Sequence, residues 1–230
     1  MAPRSSSPRP ILCAVLDAAA LGPNPADAAL ALFEAGVDWI QLRDRSLEAG
    51  ALLRLVRALV GARDRATGAT KKSYAVLVNR RIDVALSAGA DGVHLGFDAF
   101  DPETAACLLP ENALLGVSLH SVQEVELLAA RALGRPPFHP RLYAHLAPIW
   151  DPLSKPASRP ALGTDLLSRA CGLGPCILAQ GGLDPVRAAQ AIRAGAAGIA
   201  VTGILGNSGN ASSVAGQLRD ALDGQMQPES

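Results

Sequence analysis

Ala88-Gly89-Ala90-Asp91-Gly92-Val93 has two near-copies in this chain, Ala35-Gly36-Val37-Asp38-Trp39-Ile40 before it and Ala194-Gly195-Ala196-Ala197-Gly198-Ile199 after it. In each, a glycine follows a helical pattern, where the residue past a helix end needs a positive φ. A short apolar run comes next, the opening of a buried strand. The copies begin 88 − 35 = 53 and 194 − 88 = 106 residues apart, so the second offset is twice the first. Half of 53 is about 26 residues, the length of one compact strand-plus-helix unit. A chain that counts in such units is predicted to be an α/β protein, a single parallel (β/α)8 TIM barrel. Polar residues at the C-terminal ends of its strands become the candidates for chemistry.

At 230 residues the chain suits one such domain, slightly under the typical ~250. Apolar residues make up 49% and aromatic ones only 3%, so the core must be built from Ala, Leu, Val and Ile. Formal charge is zero and no basic run occurs, which removes the electrostatic footprint of a nucleic-acid binder. Cys13, Cys107, Cys171 and Cys176 form no C-x-x-C pair and have no clustered histidines beside them. They read as small buried hydrophobes in a reducing cytosol rather than as a zinc site. Arg4 and Arg9 ahead of Ile11-Leu12-Cys13-Ala14-Val15-Leu16 loosely mimic a secretory leader, but Asp17 interrupts the apolar run. A first barrel strand explains that run better, and no segment approaches the ~20 apolar residues of a membrane span. The expectation is a cytoplasmic protein with neither nucleic-acid nor membrane partners. A homo-oligomer is allowed.

Residues 1–10 form a Ser/Pro/Arg tail expected to be disordered, residues 11–223 the barrel, and residues 224–230 a second tail. Strands are predicted at Ile11–Asp17, Trp39–Asp44, Tyr74–Asn79, Gly92–Gly96, Leu114–His120, Leu142–Ile149, Cys176–Gln180 and Gly198–Ile204. Ser46 is the expected N-cap of the helix after strand two, and Pro102 and Pro185 fall where a first helical turn tolerates proline. Ala75-Val76-Leu77-Val78 is continuously apolar, as a strand buried on both faces requires. The proline-rich connection Trp150–Gly163 is long for a β-to-α loop and lies on the expected catalytic face. Gly134–Pro140 lies on the opposite one.

Strand two ends Gln41-Leu42-Arg43-Asp44-Arg45, and a two-residue period puts Gln41, Arg43 and Arg45 on one face. Polar groups facing a barrel lumen are costly unless they bind an anion or one another, and the guanidinium fork suits phosphate or carboxylate. The competing reading pairs Arg43 with an acid on a neighbouring strand. Strand three ends at Asn79, followed by Arg80, Arg81 and Asp83. Strand five puts Ser118 and His120 at the mouth, and a histidine can take and return a proton near neutral pH. His94 and His145 are expected to be hydrogen-bonded core residues, and His139, among prolines, to be exposed. Strands seven and eight run into Gly181-Gly182 and Thr202-Gly203. Barrels often bind phosphate between these two loops, on bare backbone N–H groups.

Six pieces stand in order over nearly the whole chain. They are Gln41-Leu42-Arg43-Asp44-Arg45-Ser46, Val78-Asn79-Arg80-Arg81-Ile82-Asp83, Gly92-Val93-His94-Leu95-Gly96, Gly116-Val117-Ser118-Leu119-His120-Ser121, Ala147-Pro148-Ile149-Trp150 through Lys155, and Gly181-Gly182 with Ala200-Val201-Thr202-Gly203-Ile204. Together they resemble the thiamine phosphate synthase and thiazole tautomerase (TenI) superfamily. The resemblance implies a small-molecule substrate, a thiazole phosphate, with its phosphate on the amides around Gly182 and Thr202–Gly203. A synthase of this kind joins it to an aminopyrimidine diphosphate and releases pyrophosphate with Mg²⁺. The two aspartates that hold that metal in synthases are replaced here by Arg80 and Ala99, and magnesium needs hard oxygen ligands. Asp98 and Asp101 are out of position. Pro152 and Ser154 stand where synthases favour Thr, although Lys155 remains. Without the metal, a diphosphate leaving group loses its main charge stabiliser.

By the same resemblance, the tautomerase branch needs neither metal nor pyrimidine. It moves one proton between two carbons to aromatise a thiazole carboxylate phosphate. The expectation is therefore a cofactor-free tautomerase in which His120 shuttles the proton and no residue binds metal. Gln41, Arg43, Arg45, Asn79, Ser118, Lys155, Gly181, Gly182, Thr202 and Gly203 are the expected substrate-binding residues. One alternative is thiamine phosphate synthase, an Mg²⁺-dependent transferase using Arg43, Arg45, Asn79 and Lys155 on the diphosphate, with Asp98 as a makeshift ligand. The other is a non-catalytic regulator that binds the thiazole phosphate.

Overall fold

A computed structural model of the chain describes residues 9–70, 72–96, 99, 101–132, 141–151, 159–206 and 210–224. Among them, parallel strands β1 (Ile11–Leu16), β2 (Trp39–Leu42), β3 (Ala75–Asn79), β4 (Gly92–Leu95), β5 (Leu114–Leu119), β6 (Leu142–Leu146), β7 (Cys176–Gln180) and β8 (Gly198–Val201) pair in chain order, and β8 pairs with β1 to close the barrel. The connecting helices are α1 (Ala18–Leu21), α2 (Pro25–Glu34), α3 (Ala49–Thr70), α4 (Ile82–Ala88), α5 (Pro102–Leu108), α6 (Val122–Ala132), α7 (Gly163–Cys171), α8 (Pro185–Arg193), α9 (Gly203–Gly206) and α10 (Ala211–Leu222). The repeated phrase leads into β2, β4 and β8, so its offsets span two units and then four. Gly36, Gly89 and Gly195 sit past helix ends at φ +100°, +71° and +96°, a region that a side chain would make costly. The predicted barrel is the observed one.

Alternation along the strands sorts the core into two layers. Cys13, Val15, Leu77, Tyr143, Leu178 and Ala200 pack inside the barrel, while Leu12, Ile40, Val76 and Ile199 face outward onto the helices. The helices meet them with fully buried alanines such as Ala29, Ala62, Ala188 and Ala215. Small residues let the helices lie close to the sheet, which explains how a chain poor in aromatics fills its core.

Several boundaries differ from expectation. β2 stops at Leu42 because the chain bends after it. β6 stops at Leu146, ahead of Pro148, which has no N–H for the ladder; the Ala147–Pro148 peptide is cis. β8 stops at Val201, and Gly203–Gly206 coil into α9 instead of extending it. Ser46 caps no helix: it donates its N–H and Oγ–H to the Asp44 carboxylate, and α3 begins at Ala49. Pro102 and Pro185 do occupy first turns, behind the N-caps Asp101 and Asp184. The tail is anchored from Arg9 onward, since Arg9 bonds Asp223 and Asp38 and the Pro10 carbonyl accepts from Arg219. Only Cys13 of the cysteines is fully buried; Cys171 and Cys176 are half-buried, and Cys107 is exposed on α5. No helix among the described residues is long and apolar enough to cross a membrane. His139 and residues 1–8 and 225–230 lie outside the described residues.

Candidate functional site

The residues that follow each strand ring the C-terminal mouth. Gln41 points into the lumen and is 1% exposed, and its Oε1 lacks a partner among the described residues. Arg43, next on that face, is exposed, yet its charge reaches His94. Neither Arg43 nor Arg45 enters an ion pair among the described residues, so the competing reading of Arg43 is not what the mouth shows there. Arg45 lies in the bend, where strand alternation no longer sets its direction. Asp44 serves the scaffold, accepting from the amides of Ala18, Ser46 and Leu47. Against the upward push of burial, bonds from Ser46, Ala18 and Leu47 hold its carboxyl below the usual range. Asn79 ends β3 and donates Nδ2 to the His94 carbonyl at 3.2 Å. Arg80 follows at φ +67°, unusual for a non-glycine residue, with its backbone N–H on the same carbonyl.

Inside the upper lumen, His94 and His145 are each 2% exposed, and their rings lie 4.2 Å apart. His94 Nε2 is 2.9 Å from Ser118 Oγ, and its Nδ1 is 3.2 Å from the Tyr143 hydroxyl. Burial above all, then the charges of His145 and Arg43, depress the His94 pKa well below its ordinary value. Burial pushes His145 down to about 3, opposed by a hydrogen bond with Gln180. Both imidazoles are therefore neutral at pH 7. His94 is the hydrogen-bonded core residue expected of it. His145 is buried as expected, but its Nε2 has no partner among the described residues.

His120 sits where β5 passes into α6, with its side chain 26% exposed. Its backbone N–H donates to Glu124 Oε2 at 2.6 Å, and Nδ1 lies 3.6 Å from the same oxygen. The Glu124 N–H bonds Ser121 Oγ at 3.2 Å, so the pair caps the start of α6. Burial, then the charge of Arg159, lowers the His120 pKa, while Glu124 pulls it back up. The result is a neutral imidazole beside a carboxylate, the form that can accept a proton.

Across the mouth, Gly181 and Gly182 turn at φ +99° and +61°. A Cβ on Gly182 would lie 2.2 Å from the Asp151 carbonyl oxygen, so only glycine lets this turn lie against the chain after β6. Asp184 caps α8 by accepting from the Arg187 N–H at 2.8 Å. Arg187 reaches back and donates Nη1 to the Gly182 carbonyl at 2.6 Å. Thr202 and Gly203 stand exposed at the end of β8, with Gln180 Nε2 3.4 Å from Thr202 Oγ1. The Gly181–Gly182 turn and the start of α9 at Gly203, at two adjacent strand ends, offer backbone N–H groups that suit an anion such as phosphate.

Of the expected site residues, Gln41, Arg43, Asn79, Ser118, His120, Gly181, Gly182, Thr202 and Gly203 thus come to the C-terminal end of the barrel. Arg45 follows in the bend, and Lys155 lies outside the described residues, as does Asp98. Sequence reasoning missed Tyr143, Gln180, Arg159 and Arg187. Tyr143 shares the alternation phase of His145 and was legible by that signal; Arg159 and Arg187 carry no comparable one. Among the described residues, no three His, Cys, Asp or Glu side chains converge as metal ligands. Asp101 commits both oxygens to Thr104 at the start of α5, and the side chains of Arg80 and Ala99 offer no oxygen at all. The described residues do not fit a resident Mg²⁺. An apolar groove between α5 and α6 is floored by Val117 and Leu119, on the outer face of β5, and is separate from the mouth.

The family model described as thiamine monophosphate synthase matches residues 12–205. A thiamine-phosphate synthase of Methanoculleus marisnigri is 35% identical over 189 residues, covering 81% of this chain and 82% of that one. Another, from Agrobacterium fabrum, is 30% identical over 223 residues and 94% of each chain. Among solved structures, thiamine phosphate pyrophosphorylase from Pyrococcus furiosus superposes with a TM-score of 0.76 at 20% identity, over 94% of this chain and 98% of that one. At that identity the superposition speaks for the fold alone. The two synthases bear the name of the alternative in the sequence reading and lend no support to the preferred tautomerase. The family match runs from β1 into α9 and takes in every strand end at the mouth: the chain belongs to the thiamine monophosphate synthase family.

Proposed function

We propose that this chain is a thiamine-phosphate synthase, a transferase that joins a hydroxymethylpyrimidine diphosphate to a thiazole phosphate and releases pyrophosphate. The observation that carries this reading is identity of 30–35% with relatives of that name over most of both chains. The chemistry of the mouth accords with it. The thiazole phosphate would lie between the Gly181–Gly182 turn and Thr202–Gly203 at the end of β8. Arg43 and Arg45, exposed on the β2 side, would take the diphosphate. As the bond from carbon to the departing oxygen breaks, negative charge grows on that oxygen, and guanidinium groups stabilise it. An aminopyrimidine carries N–H donors, and Gln41 Oε1 is a buried acceptor without a partner among the described residues.

One observation favours a second reading, a thiazole tautomerase. The neutral His120 imidazole at the mouth suffices for a single proton shift, and that reaction needs neither diphosphate nor metal. The deciding experiment incubates the protein, with Mg²⁺, with hydroxymethylpyrimidine diphosphate and thiazole phosphate, and quantifies thiamine phosphate as its fluorescent oxidation product. A parallel incubation supplies the non-aromatic thiazole carboxylate phosphate and follows its aromatisation. Thiamine phosphate in the first supports the synthase. Aromatisation alone overturns it in favour of the tautomerase. Binding of thiazole phosphate without turnover in either assigns the regulator.

A further inference from the structure

We infer that Tyr143 and His94 are positioning residues that fix the hydroxyl of Ser118 as a hydrogen-bond donor to the mouth. The inference relies on the synthase reading only for what Ser118 meets there. Its first link is Tyr143, a phenol 1% exposed. A buried O–H needs an acceptor, and His94 Nδ1 at 3.2 Å is its hydrogen-bond partner among the described residues. Nδ1 must then keep its lone pair, so a neutral imidazole carries its single proton on Nε2. That N–H donates to Ser118 Oγ at 2.9 Å. With one lone pair of Oγ taken, the serine's own proton is left for a partner in the mouth. The opposite tautomer would accept that proton at Nε2, and Ser118 would present only lone pairs. Phosphate and diphosphate oxygens need donors, so the tautomer of a buried histidine decides whether this position attracts or repels an anion.

The packing around the relay holds it in one arrangement. Gly116 stands between His94 and Tyr143 in the ladder, paired with each. A Cβ there would lie 2.2 Å from Tyr143 Cζ and 2.4 Å from His94 Nδ1, so the glycine opens the space in which the two groups meet across β5. Trp39 packs edge-on against Tyr143 at 5.0 Å, and His145 lies tilted against His94 at 4.2 Å. Ser118 is half-buried above them on β5, two residues beyond Gly116.

Two measurements test the inference. In the substrate-free protein with ¹⁵N-labelled histidine, the ring nitrogens of His94 should appear as protonated Nε2 and bare Nδ1. Tyr143→Phe, which keeps the ring packing, should raise the Nδ1–H form. In thiamine phosphate formation, Ser118→Ala should lower kcat/KM roughly tenfold to a hundredfold, and Tyr143→Phe roughly threefold to tenfold. Added to Ser118→Ala, Tyr143→Phe should cost nothing further, because its whole effect passes through that hydroxyl. A purely structural tyrosine would give independent, multiplying losses. An Nδ1–H tautomer in the unsubstituted protein, or multiplying losses in the double variant, overturns the inference. A protonated Nε2 in a protein that makes no thiamine phosphate upholds the inference and overturns the synthase reading instead.

Discussion

Two neutral histidines in ring contact inside the barrel make the fold sensitive to acid. The native pKa of His145 is pushed down to about 3 by burial, whereas in the unfolded chain it returns to about 6.5. Below that upper value the unfolded chain binds a proton that the native state refuses, so stability is present above pH ~6.5 and lost as pH falls toward 3. His145 should therefore cost about 2 kcal/mol of stability between pH 7 and pH 5, and His94 adds to the loss in the same direction. Urea unfolding at the two pH values reads this directly, and His145→Leu should flatten the dependence; equal midpoints in the unsubstituted protein would contradict it. A second expectation concerns Gly182. Gly182→Ala would place a Cβ 2.2 Å from the Asp151 oxygen at φ +61°. The turn must shift, costing about 1–3 kcal/mol of stability and weakening thiazole phosphate binding, as calorimetric titration would show.

At the scale of elements, the β7–α8 connection illustrates what a sequence does and does not disclose. The cap Asp184 and the first-turn Pro185 are legible because N-cap chemistry is local. So are the glycines of the repeated phrase, whose positive φ is a one-residue property. The return of Arg187 to the Gly182 carbonyl is tertiary, and nothing in the spacing announces it. The same holds for the ends of β2, β6 and β8, where a bend, a proline and a short helix stop ladders that the apolar pattern would have continued. If the Arg187 contact at 2.6 Å holds the turn in its working shape, Arg187→Ala should raise KM for thiazole phosphate about fivefold while leaving kcat within about twofold. A fall in kcat at unchanged KM would show that Arg187 acts on the chemical step instead.

For the whole molecule, the barrel separates stability from chemistry by its two ends. At the end away from the mouth, Arg219 has a side chain only 6% exposed. It donates to the Pro10 carbonyl, Asp38 Oδ2 and Asp223 Oδ1 at 2.9, 3.0 and 2.6 Å, tying α10 to the starts of β1 and β2. Asp38 also accepts from the Leu12 N–H at 2.8 Å. Arg219→Ala would leave that largely buried carboxylate without its nearest cation, and should cost about 3–5 kcal/mol in urea unfolding. Residual folded protein should keep its kcat/KM within about twofold. The mouth itself was legible in outline, since strand ends follow from the repeat. The Tyr143–His94–Ser118 relay was not, because it exists only once the ladder pairs His94 with Gly116 and Gly116 with Tyr143. The product formed at that mouth decides between transferase and isomerase. The most direct measurement quantifies thiamine phosphate and pyrophosphate made by the unsubstituted protein and by Arg43→Ala from hydroxymethylpyrimidine diphosphate and thiazole phosphate. Equal amounts of the two products, with a loss of about tenfold or more in the variant, is the predicted result. No thiamine phosphate from protein that still binds thiazole phosphate would contradict it.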